Sequence, residues 1–431
     1  MAHSANSSGA TLAARAATWG PGVIFALSAV GPQDFITNSI AGSTHGYSLI
    51  WLLVVAVAAR YVILEASSRY VIATGESIVA GCKRVNRSLP WLLFVAPLVK
   101  RHFAGLSQAL LLGVAAHVAL PLPTPHSATV WSLVSWTLGF GLIYWGRYRW
   151  IERFSQGMAV FFGACLALAA ILAKPQPAAV FEGIFLPSLP DNAGVYGSTL
   201  VIVAVLGGAA GSFSNLRYAA FVHEKGWRDP SHMRSQRSDL LASMFGILLM
   251  LTAIQIAAAG ALRPGGLQVE RVEDLAPIFG LVLGDAGRIL LAAGLWSAVF
   301  NNHVGATAGY SLMLAETYHR FIRPSSAIGE QETGRGAAYL PSYRWFLAYF
   351  CLGPLYVFFT DWKPVWLVLV NSAVGVIMLP AMIMAVLRLT ADKRLLGDYA
   401  NGPATNAALG ITLAAALYLA GQGVFELFAA R

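Results

Sequence analysis

The sequence contains few charged residues and few cysteines. Only 11% of its 431 residues are Asp, Glu, Lys or Arg, whereas 57% are apolar. This balance excludes an ordinary soluble domain and indicates a protein with many membrane-spanning segments. Cys82, Cys165 and Cys351 lie far apart and show no CxxC spacing. We therefore expect neither a disulfide framework nor a zinc site.

Motifs for catalysis or for binding of a nucleotide are also missing. We find no pairing of a nucleophile with a base, no Gly-rich phosphate loop and no His/Cys spacing typical of a metal cofactor. We predict that the chain is not an enzyme and needs no cofactor. A formal net charge of +9 would suggest nucleic-acid binding in a soluble protein. In a membrane protein the topology explains it, so we expect no nucleic-acid partner.

Long apolar runs divide the chain into eleven predicted spans, since about 20 apolar residues cross a bilayer. No stretch between them is long enough for a second domain. The prediction is one all-α, polytopic transmembrane domain in a lipid bilayer. The spans are expected at residues 20–45, 48–74, 90–118, 128–146, 150–173, 196–222, 238–262, 286–315, 343–360, 364–388 and 404–428.

The basic residues predict the orientation of these spans. With the N-terminus inside, 18 Lys and Arg side chains fall on inner segments and six on outer segments. The positive-inside rule then places the N-terminus in the cytoplasm and the C-terminus outside. Residues 1–19 are interpreted as a cytoplasmic tail without a cleaved signal peptide. We expect a monomer in the cell (inner) membrane.

Two spans contain segments that break a helix. In the first, Pro32 follows Gly31, and proline lacks an N–H and clashes with the preceding turn. In the sixth, residues 207–215 read Gly-Gly-Ala-Ala-Gly-Ser-Phe-Ser-Asn, and each glycine costs about 1 kcal/mol relative to alanine in a helix. Close packing of small residues is an equal alternative for this second segment.

Breaks at corresponding positions of spans 1–5 and 6–10 are typical of transporters built from inverted repeats. The predicted repeats are residues 20–195 and 196–390, and residues 403–429 form an added eleventh helix. Asp34 is the only acid in the first apolar run. A carboxylate at membrane depth costs several kcal/mol, so it marks a functional site.

Several segments spread over the spans form a recognisable pattern: Gly20-Pro21-Gly22, the break at 31–34, Ala41-Gly42, Gly46-Tyr47-Ser48, Ser68–Glu76, Leu291–Gly294, 366–370 and Leu379-Pro380. These motifs resemble those of the natural resistance-associated macrophage protein (NRAMP) family of divalent-metal transporters. The resemblance covers about residues 20–390, and it implies a LeuT-type fold with an inverted 5+5 helix repeat and broken helices 1 and 6.

The chain departs from that family at the centre of the implied metal site. The family's Asp-Pro-Gly-Asn is replaced by residues 31–34, Gly-Pro-Gln-Asp, and its helix 6 methionine aligns with Ser212. The family's helix 3 acids align with Val95, His102 and Gly105. The pattern is closer to the NRAMP-related magnesium transporters. The oxygen ligands that the resemblance implies are the Asp34 carboxylate, the carbonyl groups of Gly31 and Ala209, and the hydroxyl of Ser212 or the amide of Asn215, while Asn371 and Ser372 would hold an outer water.

Oxygen ligands without a thioether suit Mg²⁺ and Mn²⁺ rather than softer metals. Because Mg²⁺ dehydrates reluctantly, we expect a largely hydrated ion at a midplane site. We predict alternating access without proton coupling. The alternatives are a LeuT-type symporter for a small organic or amino-acid substrate, and a receptor built on a transporter fold.

Other charged and polar residues in the spans have structural interpretations. Glu65 and Arg69 are spaced as an i,i+4 ion pair. Residues 301–303, Asn-Asn-His, fit inter-helix hydrogen bonds or an exit lining. Lys100 and Arg101 would repel a cation on the pathway, so we expect the third span to begin near residue 102.

Overall fold

A computed structural model describes residues 30–76, 78–85, 89–144, 161, 163–210, 215, 218–219, 222, 227, 229–323 and 341–429. All regular structure among these residues is helical. The helices are α1 Pro32–His45, α2 Ile50–Thr74, α3 Ile78–Val85, α4 Leu89–Ala119, α5 Ser127–Tyr144, α6 Gly163–Leu172, α7 Pro177–Phe185, α8 Ser198–Ala209, α9 Met233–Ala261, α10 Ala276–Leu283, α11 Gly287–Thr317, α12 Pro341–Leu352, α13 Pro364–Ala391, α14 Lys393–Leu396 and α15 Pro403–Ala429.

Six of the described helices are long and apolar enough to cross a membrane. They contain α2, α4, α9, α11, α13 and α15, and each falls where a span is predicted. The pair α6 and α7 bends by 117° at a short break and adds a seventh candidate. Mean hydropathy and length therefore agree with a polytopic membrane protein.

The third span differs from the prediction. It is one continuous helix, α4, which includes Pro97 and places Lys100 and Arg101 in its interior. Both side chains are buried, with relative exposures of 6% and 1%. The expectation that this span begins near residue 102 is therefore wrong. Long basic side chains can stay at membrane depth because they reach polar partners on other helices.

The ninth span is also not one regular helix. Its α-helical part, α12, ends at Leu352, and a 3₁₀ segment covers Gly353–Phe359. Pro354 lies in the first turn of that segment, where its missing N–H breaks no hydrogen bond of the turn.

The short helix α1 lies at the centre of the fold. It packs against α8, α9 and α13, and all but two of its fourteen residues are buried. Gly42 allows the closest approach to α9, because a Cβ atom there would lie 2.4 Å from the Gln255 carbonyl oxygen. The Gln255 side chain donates to the Gly46 carbonyl oxygen and fixes the other end of α1 (3.0 Å).

Candidate transport site

The N-terminus of α1 places Asp34 at the break in the first span. Gly31 is extended, and the helix begins at Pro32. Asp34 Oδ2 accepts a hydrogen bond from the Gly31 amide (2.9 Å). Asp34 Oδ1 is buried and has no hydrogen-bond partner among the described residues. A carboxylate oxygen left in this state can accept a cation, because an unpartnered buried acceptor is costly.

The helix α8 passes very close to this oxygen. It ends at Ala209, as a break in the sixth span predicts. A Cβ atom on Gly208 would lie 2.4 Å from Asp34 Oδ1, which only glycine avoids. A Cβ atom on Gly207 would instead lie 2.6 Å from the Ser372 carbonyl oxygen of α13. The two glycines thus bring α8 against both α1 and α13.

A buried arginine from α2 contacts Ala209 and Asn215, which are predicted site residues of the sixth span. Arg60 Nε donates to Asn215 Oδ1 (3.0 Å), and Arg60 Nη1 donates to the Ala209 carbonyl oxygen (3.3 Å). Both oxygens were predicted as metal ligands. The sequence prediction did not use Arg60, although a cation in the middle of an apolar span is itself a signal of function.

A lysine from α4 approaches the same centre from the other side. Lys100 Nζ donates to the carbonyl oxygen of Asn371 on α13. The charges of Arg60 and Lys100 both act on the Asp34 carboxylate. We call Asp34, Arg60 and Lys100 the site cluster; it contains one acidic and two basic side chains.

Gln33 of α1 contacts Asn371 and Ser372, the predicted site residues of the tenth span, which lie on α13. Its Oε1 accepts from Asn371 Nδ2 (2.8 Å), and its Nε2 donates to Ser372 Oγ (2.6 Å). Asn371 Oδ1 is buried without a hydrogen-bond partner among the described residues. Two of the predicted outer residues therefore contact α1 through Gln33, which the prediction did not include.

The predicted site residues are thus only partly brought together. Gly31 and Asp34 share a hydrogen bond, Ala209 and Asn215 share Arg60, and Asn371 and Ser372 share Gln33. Ser212 lies outside the described residues. No group of three His, Cys, Asp or Glu side chains suited to a metal occurs in the part of the chain that the structure describes. Asp34 is the one acid of the site cluster.

A second polar group extends from the site cluster towards α11. Arg101 donates to Gln108 Oε1 (2.8 Å) and Thr307 Oγ1 (2.6 Å), and Gln108 Nε2 donates to Asn302 Oδ1 (2.7 Å). A Cβ atom on Gly31 would lie 3.3 Å from Asn302 Nδ2. The polar segment at 301–303 therefore makes inter-helix hydrogen bonds beside the break in the first span.

The positions aligned with the helix 3 acids have other surroundings. Val95 is exposed, and a Cβ atom on Gly105 would contact Pro354. The His102 ring lies between Tyr349 and Tyr356, with each hydroxyl 3.2 Å from one ring nitrogen. Neither of these two hydrogen bonds involves the site cluster.

A second cluster of charges lies further along α2, where Glu65 and Arg69 are buried and Arg237 of α9 is exposed. Glu65 pairs with Arg69 (3.2 Å) and with Arg237 of α9 (2.9 Å). Arg69 also donates to the Tyr399 carbonyl oxygen and to Asn401 Oδ1. The predicted pairing of Glu65 with Arg69 is confirmed. We call Glu65, Arg69, Arg237 and Asn401 the paired network.

Comparison with known proteins identifies the class of this fold and then the family. The structure of a manganese transporter from Eremococcus coleocola superposes with a TM-score of 0.72 at 14% identity, over 98% of this chain and 88% of that one. The structure of Mhp1, a nucleobase-cation-symport-1 family transporter, superposes with a TM-score of 0.53 over 94% of this chain and 90% of that one. The predicted LeuT-type fold is confirmed.

A model of the natural resistance-associated macrophage protein-like (Nramp) family matches residues 22–426. The divalent metal cation transporter MntH of Chromohalobacter salexigens is 28% identical over 315 residues, which are 69% of this chain and 70% of that protein. The chain therefore belongs to the Nramp family and is an integral membrane protein. The predictions of the family and of a non-enzymatic function are confirmed.

Proposed function

We propose that this chain is a membrane transporter of divalent metal cations, with Mg²⁺ and Mn²⁺ as substrates. The observation that supports it is Asp34 Oδ1, a buried carboxylate oxygen without a hydrogen-bond partner among the described residues, at the N-terminus of α1. A hard dication bound there replaces the missing partner. The names of the curated relatives, divalent metal cation transporters, agree with this substrate class.

The proposal includes the path of the ion and the state in which it moves. Asp34 is the protein ligand, and waters complete the shell of a largely hydrated ion that reaches the site alternately from each side. The other implied ligands stay predictions. We propose that the chain is a monomer of the inner membrane, with the N-terminus in the cytoplasm and the C-terminus outside.

Proton coupling is not part of the proposal. The aligned positions of helix 3 offer only His102 as a titratable group, and its described partners are two tyrosines. Moving a dication through ~100 mV is worth roughly 4.6 kcal/mol, which suffices for uptake. Metal entry into proteoliposomes should leave an internal pH dye unchanged. Acidification that follows metal influx and disappears in His102→Ala would contradict it.

A second candidate function is transport of a small zwitterion such as an amino acid. The observation that favours it is the excess of positive charge in the site cluster, because Arg60 and Lys100 can hold a carboxylate and Asp34 an ammonium group. Isothermal titration of the purified protein with Mg²⁺, Mn²⁺, Ca²⁺ and glycine separates the two. Heat from glycine and none from the metals would replace the metal proposal.

A further inference from the structure

We propose that Arg60 determines the specificity of the transport site. It occupies two oxygens of the sixth span, the Ala209 carbonyl and the Asn215 carboxamide oxygen, that would otherwise bind a metal ion. The transported dication then binds Asp34 and its own waters, without the Ala209 carbonyl or the Asn215 carboxamide. This inference rests on the proposed function of divalent-metal transport. It assigns to a side chain of α2 a role in choosing the ion.

The contacts of Arg60 fix its position. Its side chain is 2% exposed, and two of its N–H groups donate to Asn215 Oδ1 and to the Ala209 carbonyl oxygen, at 3.0 and 3.3 Å. The Asn215 carboxamide is held at its other end as well, because Nδ2 donates to the Ala210 carbonyl oxygen (3.0 Å). Its oxygen is therefore turned towards Arg60 by two hydrogen bonds.

The charges of the site cluster have a second effect. Arg60 and Lys100 both act on Asp34, so a dication that binds Asp34 Oδ1 also meets two like charges. Like charges at close range in a weakly polar interior repel strongly. A shell of water keeps the ion further from them. The site cluster therefore favours weak binding of a hydrated ion.

The two proposed substrates, Mg²⁺ and Mn²⁺, differ in how readily they exchange bound water for protein oxygens. Mg²⁺ gives up water reluctantly, whereas Mn²⁺ accepts carbonyl and carboxamide oxygens more readily. A site in which a guanidinium already holds those oxygens removes the advantage of Mn²⁺. Freeing them should restore it.

The experiment measures KM for Mn²⁺ and Mg²⁺ in proteoliposomes for the wild type and four variants. Arg60→Met frees both oxygens and removes one charge, so we expect KM for Mn²⁺ to fall about tenfold and the ratio KM(Mg²⁺)/KM(Mn²⁺) to rise at least about threefold. Arg60→Lys keeps the charge, but its single ammonium group cannot reproduce the fork that holds both oxygens, so we expect a ratio between those of the wild type and Arg60→Met.

Lys100→Met is the matched control, because it removes a like charge without freeing the Ala209 or the Asn215 oxygen. KM for both ions should fall and their ratio should not change. Arg60→Gln is a milder substitution in case Arg60→Met does not fold; its amide can still donate to Asn215, and we expect a ratio between the wild type and Arg60→Met.

An unchanged ratio in folded Arg60→Met and Arg60→Gln would overturn the role of Arg60. A rise of the same size in Lys100→Met would also overturn it, because occupancy of the Ala209 and Asn215 oxygens would not then be the cause. Absence of metal uptake by the wild type itself would refute the proposed function instead.

Discussion

The two charge clusters to which α2 contributes, the paired network and the site cluster, satisfy their acids in opposite ways. In the paired network, Glu65 meets two arginines, and Arg69 has further partners in Tyr399 and Asn401. In the site cluster, the cations donate to neutral oxygens, and one oxygen of Asp34 has no hydrogen-bond partner among the described residues.

The difference separates a structural role from a binding role. A buried acid whose partners are supplied by the protein stabilises one arrangement of helices, and breaking it costs stability. A buried acid with an unused oxygen is destabilising until something binds. The paired network joins α2 to α9 and to the segment before α15, whereas the site cluster leaves Asp34 Oδ1 without a hydrogen-bond partner among the described residues.

The largest effect is expected for Asp34→Asn. The carboxamide keeps the size of the side chain but loses the charge that holds a dication, so uptake of Mg²⁺ and Mn²⁺ into liposomes should fall at least about a hundredfold. The unfolding midpoint in detergent should not decrease. Uptake at the wild-type rate would remove Asp34 from the mechanism.

Glu65→Gln should have the opposite profile. It leaves Arg69 and Arg237 without their acid, which should lower the free energy of unfolding by about 3 kcal/mol. The folded fraction should transport metal within about twofold of the wild type, as uptake per folded molecule would measure. If uptake is lost while the unfolding midpoint is unchanged, the paired network takes part in transport.

Gly208→Ala should give a smaller change at the site. Its methyl group would lie 2.4 Å from Asp34 Oδ1, so the carboxylate must turn, and we expect KM for Mn²⁺ to rise about fivefold. Gly207→Ala is the control, because its methyl group meets the Ser372 backbone and should lower the unfolding midpoint. Equal effects of the two variants on KM would mean that helix packing alone is responsible.

Much of the fold follows from the sequence, because apolar length and helix breakers act locally. The ends of α2, α4, α13 and α15 lie within a few residues of the predictions. Asp34 is a candidate site residue for the same reason, since a lone acid in an apolar run is visible without knowing its neighbours. The helix α1 begins at Pro32, directly after Gly31, as the position of the proline predicts.

The partners within the site could not be predicted from sequence spacing. Arg60 and Asn215 are 155 positions apart, and Lys100 and Asn371 are 271 positions apart. Only the packing of α2 against α8 and of α4 against α13 brings them together. The sequence predicts Lys100 outside the span, because a cation beside a cation site is unfavourable. In the structure α13 supplies a carbonyl oxygen that accepts from Lys100, so the side chain stays within the span.

Gln33 has a consequence for movement. Its two hydrogen bonds join α1 to α13 through neutral groups, and such bonds do not weaken with ionic strength as exposed ion pairs do. A displacement of α1 during transport must therefore either pull α13 with it or break both bonds in one step. We expect α1 and α13 to move as one rigid body, with Gly31 and Gly46 at the two ends of α1 as the points where the backbone turns.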